Sequence, residues 1–414
     1  MANKYGCIGE RLKHSFSKEI HNALADYDYS IIEIPRDELE SFANRADFSA
    51  INVTIPYKEL IIPYLYRIDA HAKSIGAVNT VVNRDGKLYG YNTDFYGMTA
   101  LLSHARVDVN GKKVVILGTG GTSKTALSVV RALGAREIIR VSRDGKENAI
   151  TYEALYNEHT DAEIIINTTP AGMYPNIFSS AIDLSRFPLV TGVIDAVYNP
   201  LRTPLVLAAR ERGIAAEGGL YMLVAQAVRA SEIFIDVTYP EAELERVYKK
   251  IYSEKENIVL CGMPASGKST VGKLLSASLG RKFIDTDELI EKKAGKPISD
   301  IFREDGETTF RDIESEVIKE ASALTSTVIS TGGGAILRDE NVRALRENGR
   351  IYFIDRPLDA LMPTADRPLA SDREAIKKRY EERYDRYVFV SDARIDADCD
   401  AKSVAKKIEG DFFR

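Results

Sequence analysis

Residues 261–270 read Cys-Gly-Met-Pro-Ala-Ser-Gly-Lys-Ser-Thr, the spacing G-x-x-x-x-G-K-S. Such a turn points successive backbone N–H groups at one spot, and a helix starting there adds partial positive charge, so the stretch suits a polyphosphate. Gly262, Ala265, Ser266, Gly267, Lys268, Ser269 and Thr270 are the candidate nucleotide contacts, with Lys268 reaching the β/γ-phosphates and the Ser269 hydroxyl placed on Mg²⁺. Downstream, Phe-Ile-Asp-Thr-Asp at 283–287 reads as a strand ending in paired acids. Asp285 can hold the same metal through water, and Asp287 can accept a proton from a substrate hydroxyl. Arg311 and Glu314, three apart on a helical pattern, are neighbours on one face. Arg311 and Arg383 aimed at one point could clamp a carboxylate, or each could be a solvated surface arginine. Gly332-Gly333-Gly334 after an apolar run exposes backbone to a ligand. Asp366-Arg367-Pro368-Leu369 falls in a polar loop that suits a closing lid with a cationic tip.

A second set of reactive groups lies in the front two thirds. Ser15 and Ser17 flank a helix start and suit a small carboxylate. Thr54 sits at a strand end and Lys58 in the helical turn that Pro56 opens. Asn79, Asn92 and Asp94 cluster near strand ends. A lysine and an aspartate in one cleft can orient a proton for a hydroxyl that becomes a ketone; the alternatives are a solvated Lys58 and an Asp94 that merely caps a helix. Gly118-Thr-Gly-Gly-Thr-Ser123 follows the continuous apolar run 113–117, which marks a strand buried on both faces. A helix closed by Gly134 and a strand at 137–141 complete a β-loop-α-β unit of the dinucleotide-binding type, with Ser123 in place of a third glycine.

These groups need a frame of alternating strands and helices. Short strands are expected at 5–8, 29–34, 50–54, 78–83 and 87–91, the last two joined by an Asp85-Gly86 hairpin turn. Further strands are expected at 162–167, 189–195, 257–260 and 327–330. A long apolar helix spans 219–235, a charged helix 240–253, and 253–257 reads as a short polar link. The 414 residues exceed one ordinary core. A net charge of −5 gives no reason to expect a nucleic-acid or membrane partner. No apolar run approaches ~20 residues and the N-terminus lacks an apolar signal core, so a cytoplasmic enzyme is expected. Cys7, Cys261 and Cys399 share no metal-like spacing and read as reduced thiols. The five histidines show no ligand-like spacing either and read as satisfied or solvated.

Residues 5 to about 240 resemble shikimate dehydrogenases in the segments 14–22, 52–58, 76–80, 92–97, 118–123, 167–173, 195–200 and 219–227. The resemblance implies that Ser15 and Ser17 hold the shikimate carboxylate, and that Thr54, Asn79 and Gln226 bind ring hydroxyls. Lys58 and Asp94 would form the catalytic pair, with Tyr198 lining the cleft. Gly118, Gly120, Gly121, Thr122, Ser123 and Gly219 would contact the dinucleotide. Ser142 and Arg143 would meet the 2′-phosphate of NADP(H), whereas Asp144 departs from the family pattern and suits the 2′-hydroxyl of NAD.

Residues 257–414 resemble shikimate kinases in 262–269, 285–287, 310–314, 332–334 and 367–368. That implies shikimate binding by Asp287, Arg311, Gly333 and Arg383, closure of Arg367 over the transferred phosphoryl group, and ATP and Mg²⁺ served by Lys268, Ser269 and Asp285. Leu361-Met-Pro-Thr364 departs from the usual Arg-Thr pair at the lid entrance.

The expected chain is therefore α/β throughout. A substrate-binding domain at 1–103 is completed by the helices at 219–253, a Rossmann-like NADP domain spans 104–253, and a P-loop domain like nucleoside-monophosphate kinases spans 254–414. The expected partners are small molecules, 3-dehydroshikimate and shikimate, in a monomer or homodimer. Quinate as the front substrate, and a shikimate sensor without catalysis, are the alternatives.

Overall fold

The computed structural model of the chain describes residues 4–10, 12, 16–361 and 373–414. It divides into two compact units, one of Met1–Asn199 with Leu205–Tyr252, the other of Pro200–Pro204 with Ser253–Arg414.

The first unit holds two sheets. Strands β1 (Tyr5–Gly9), β2 (Tyr29–Glu33), β3 (Ala50–Val53), β4 (Arg67–Ile68), β5 (Thr80–Arg84) and β6 (Lys87–Tyr91) lie in the order β2-β1-β3-β5-β6-β4. β1 runs parallel to β2 and β3, and the β5–β6 hairpin is antiparallel. Its turn takes φ of +53° at Asp85 and +81° at Gly86, the two positive values a two-residue hairpin needs. The expected strand at 78–83 begins only at Thr80, because the Val78 N–H is taken by the Lys58 carbonyl at 2.8 Å. That bond ties the lysine's short helix, Tyr57–Leu60, to the mouth of the sheet. Pro56 caps this helix instead of occupying its first turn.

The second sheet contains β7 (Lys113–Leu117), β8 (Glu137–Val141), β9 (Ile164–Asn167), β10 (Gly192–Asp195) and β11 (Ala215–Glu217). All neighbours are parallel, in the order β11-β10-β9-β7-β8. Every residue of β7 is buried; fully burying each such Val, Ile or Leu stabilises by roughly 1.5–3 kcal/mol. The chain switches direction between β7 and β9, which opens a crevice at their carboxyl ends. The helix Leu220–Ile235 then returns to the first sheet and packs on the helices Ser17–Leu24 and Asp94–His104.

The second unit is one parallel sheet of β12 (Asn257–Cys261), β13 (Lys282–Asp285), β14 (Thr327–Ser330), β15 (Gly349–Asp355) and β16 (Ala393–Asp396), in the order β13-β14-β12-β15-β16. Apolar clusters cover both its faces. Here the switch point is β12, between β14 and β15. Two expectations are corrected. The polar link at 253–257 is absent: the helix Glu241–Lys255 leaves only Glu256 before β12. Glu256 is buried and accepts from Arg202 and Arg350 of the same unit, each at 3.0 Å. The strand expected to carry both acids stops at Asp285, whose side chain accepts from the Asp287 N–H at 3.0 Å and so caps the helix Thr286–Ala294. Asp287 therefore stands in a first helical turn. Among the described residues no helix is long and apolar enough to cross a membrane.

Candidate active sites

At the mouth of the first sheet, Lys58 Nζ donates to Asp94 Oδ2 at 2.6 Å, and Asn79 Nδ2 donates to Asp94 Oδ1 at 2.9 Å. Asp94 opens the helix Asp94–His104, but both carboxylate oxygens face these side chains, and the capping position is Thr93. The capping alternative thus fails for Asp94. The Asp94 side chain is 6% exposed. Burying a charge costs several kcal/mol unless it is paired and hydrogen-bonded, and here it is both. Asn79 Nδ2 also lies 3.4 Å from Gln226 Oε1, contributed by the helix Leu220–Ile235. Gly97 permits this approach: a Cβ there would meet the Met222 carbonyl oxygen at 2.7 Å.

Asn79 is itself oriented. Its Oδ1 accepts from the Thr93 N–H at 2.8 Å and from the Thr80 hydroxyl at 3.0 Å, which turns Nδ2 toward Asp94, the Thr93 hydroxyl at 3.1 Å and Gln226. Thr80 is next to Asn52 Nδ2 at 3.3 Å, and Asn52 Oδ1 accepts from the Tyr29 hydroxyl at 2.7 Å. The His21 ring stacks on Tyr29 with centroids 4.0 Å apart. Sequence reasoning missed Asn52, Tyr29, Thr80 and Thr93 as supports. For Tyr29, Asn52 and Thr80 the signal was a polar side chain within an otherwise apolar strand run; Thr93 precedes a helix and carried no such signal.

The remaining front residues are placed as follows. Ser17 is the first residue of its helix. Thr54 is half-buried just past β3. Tyr198 packs edge-on against Phe16 with ring centroids 5.2 Å apart. Ser15 lies outside the described residues.

The dinucleotide loop leaves the end of β7. Gly118 has φ +107°, and a Cβ on it would lie 2.8 Å from Thr168 Oγ1, so the turn needs glycine. Ser123, standing where a third glycine was expected, donates its hydroxyl to the Gly118 carbonyl at 2.6 Å and closes the loop. Gly120 caps the helix Gly121–Ala132, in which Thr122 is half-buried, and side chains added at Gly120 or Gly121 would meet open space. A pyrophosphate can approach that backbone. Past β8, Asp144 accepts from Ser142 at 3.2 Å and pairs with Lys146 at 3.0 Å, and Lys146 holds its carboxyl below the usual carboxylate range. The acid expected to favour NAD is thus already matched by a cation, while Arg143 is exposed. Gly219 donates its N–H to the Val197 carbonyl at 2.8 Å, and a Cβ there would lie 2.2 Å from the Ala196 oxygen. This close approach gives it a packing reason to be glycine.

In the second unit, the loop between β12 and the helix Lys268–Leu279 has positive φ at Gly262, Ala265 and Gly267. The Ser266 hydroxyl is buried without a partner, so the loop has a side-chain donor to offer a phosphate. Lys268 Nζ donates to the Gly262 and Met263 carbonyls at 3.0 and 2.9 Å, so the lysine spans its own loop. Thr270 is exposed in the first helical turn. Ser269 Oγ donates to Asp285 Oδ2 at 2.6 Å. No group of three or more metal-ligating side chains occurs among the described residues. The Ser269–Asp285 pair fits Mg²⁺, which binds through one or two protein oxygens together with water and phosphate.

Beside this loop, Asp287, Arg311, Gly333 and Arg383 come together. A Cβ on Gly332 would lie 2.7 Å from Asp287 Oδ1 and 3.0 Å from Glu314 Oε1. Arg311 donates to Glu314 Oε2 at 2.8 Å and to Glu307 at 3.1 Å. Arg383 donates to the Gly333 carbonyl at 3.2 Å, and the Tyr387 hydroxyl donates to the same oxygen. Arg311 and Arg383 are both buried, which removes the surface-arginine alternative. Glu314 and Tyr387 were not foreseen as supports, although the Arg311/Glu314 spacing signalled the first. Arg367 lies outside the described residues.

Each part of the chain is similar to known proteins. Residues 7–81 match the family profile described as "Shikimate dehydrogenase substrate binding domain", and residues 264–411 the one described as "Shikimate kinase". The Clostridium perfringens protein "Shikimate dehydrogenase (NADP(+))" is 37% identical over 265 residues, covering 60% of this chain and 97% of that one. The crystal structure of shikimate dehydrogenase 1 from Peptoclostridium difficile is 37% identical, with a TM-score of 0.56 and coverage of 60% and 97%. That of a chorismate mutase/shikimate 5-dehydrogenase fusion protein from Clostridium acetobutylicum is 33% identical, with a TM-score of 0.57 and coverage of 61% and 97%.

Proposed function

The chain belongs to the shikimate dehydrogenase family and carries a shikimate kinase domain in the same polypeptide, and from that premise we infer two consecutive reactions on one metabolite. The front site reduces 3-dehydroshikimate to shikimate with NADPH. The rear site phosphorylates the 3-hydroxyl of shikimate with ATP and Mg²⁺. One observation carries the reading: in each half, residues from distant stretches converge on a buried cluster that can bind a hydroxylated acid and move a proton.

Bound nicotinamide supplies the hydride, and bound Mg²⁺ offsets charge on the phosphates. The chain's residues do the rest. Lys58 Nζ, held by Asp94, delivers a proton to the carbonyl oxygen as it becomes a hydroxyl; such proton transfer contributes roughly 10²–10⁴-fold. Asn79 and Gln226 orient the ring hydroxyls, with Ser17, Thr54 and Tyr198 completing the cleft. Arg143 meets the 2′-phosphate, since Lys146 already engages Asp144. In the rear site Asp287 accepts the proton of the attacking hydroxyl, and Arg311 and Arg383 hold the carboxylate. Arg311 exchanges its contact with exposed Glu307 for the substrate and keeps Glu314.

The test supplies 3-dehydroshikimate, NADPH, ATP and Mg²⁺ to the full chain. Shikimate 3-phosphate should accumulate with stoichiometric NADPH loss. NADPH loss without phosphorylated product, or a preference for the quinate pair in the front site, would overturn the reading.

A further inference from the structure

The end of β15 places an arginine against the phosphate loop for which the reactions above give no use. Arg356 follows Asp355 directly, and a Cβ built on Gly267 would lie 3.9 Å from its Nη1. β15 lies beside the loop along this edge, since a Cβ on Gly262 would meet the Ile354 carbonyl oxygen at 2.8 Å. The Arg356 side chain is half-buried, and its Nε is shielded from solvent without a hydrogen-bond partner. Among the described residues no hydrogen bond or ion pair engages it.

The nearest acids in sequence are taken. Asp355 Oδ2 accepts from Arg394 Nε at 2.6 Å and from the Tyr384 hydroxyl at 3.1 Å. Asp359 pairs with Arg373 at 3.4 Å. A half-buried guanidinium whose Nε is shielded and which has no counter-ion among the described residues is unfavourable by itself, because such charges are normally paired. Its planar fork matches phosphate oxygens, and the loop beside it is built to hold phosphates.

We propose that Arg356 is a further nucleotide-binding residue of the rear site, donating from the end of β15 to the polyphosphate cradled by residues 262–269. Gly267, bare on that side, leaves the path from guanidinium to ligand open. The proposal rests on the kinase reading of the loop and adds a contact that the loop motif does not contain.

The experiment titrates MgADP into the full chain by calorimetry, for wild type, Arg356→Gln and Arg356→Lys, with steady-state kinetics alongside. Losing a hydrogen bond between charged groups should weaken MgADP about tenfold or more in Arg356→Gln. KM for ATP should rise in step, while KM for shikimate in the kinase reaction and the dehydrogenase rate stay unchanged. Arg356→Lys, which keeps the charge, should recover part of the affinity. MgADP affinity unchanged in Arg356→Gln would overturn the proposal. Equal losses in both variants, accompanied by weaker shikimate binding, would mark a packing role and overturn it as well. Wild type failing to bind MgADP would instead sink the kinase reading itself.

Discussion

Under the proposed kinase function, Glu314 would set a binding site without touching its ligand, by holding Arg311. The carboxylate is 1% exposed, and burial pushes its pKa above the ordinary glutamate value while Arg311 pulls the other way. Arg311 in turn is held charged by Glu314 despite its own burial. The pair fixes the guanidinium's direction, so under the proposed kinase function a substrate carboxylate would meet a preset fork. Glu314→Ala should raise the kinase KM for shikimate by about tenfold or more, since bonds to charged groups contribute roughly 1.5–3 kcal/mol. KM for ATP should barely move, and Glu314→Gln should fall between the two. Steady-state kinetics against each substrate separates these outcomes; a rise in KM for ATP alone would refute the assignment.

The helix Ser17–Leu24 makes the corresponding case for an element. It buries Ile20, His21 and Leu24. The His21 ring lies between Tyr29 and Phe234, and its Nδ1 contacts the Tyr27 hydroxyl at 2.5 Å. Burial lowers its pKa from 6.5 to about 3, against a smaller opposing effect of Asn52. The folded unit therefore keeps a neutral ring where the unfolded chain takes up a proton. The stabilisation is whole above pH 6.5 and fades as pH falls toward about 3, amounting to a loss on the order of a few kcal/mol. Calorimetric melting from pH 7 to pH 4 should show the first unit of His21→Phe losing less stability on acidification than wild type. Parallel curves would refute this.

Elements of this kind were unevenly legible beforehand. Strands β6, β7, β8 and β14 match their sequence reading to the residue, because apolar runs bounded by turn-formers define them locally. His21 read only as satisfied or solvated, since its partners Tyr29 and Phe234 come from other elements. The support chain from Tyr29 through Asn52 to Asn79 was hidden for the same reason. Its bonds join residues tens of positions apart, and strand period alone does not say which side chains meet across a sheet. Asp287 was misplaced because local propensity does not reveal that Asp285 uses its own side chain to start a helix.

For the whole molecule, two sites in two compact units predict separable losses. Lys58→Ala should lower the dehydrogenase kcat by roughly 10²-fold or more and leave the kinase unchanged. Lys268→Ala should do the reverse. Parallel assays on one preparation decide it; a shared loss from either change would contradict independent chemistry. The route the chain takes through the first unit has a further consequence. Gln226, Ser231 and Phe234 reach Asn79, Tyr27 and Tyr5 from beyond the dinucleotide-binding sheet. A polypeptide leaving the ribosome N-terminus first therefore cannot finish its opening domain until roughly 130 further residues have emerged. A gene fragment ending after residue 103 would yield a sheet that keeps the apolar cover of one face but lacks Ala230 and Phe234 on the other.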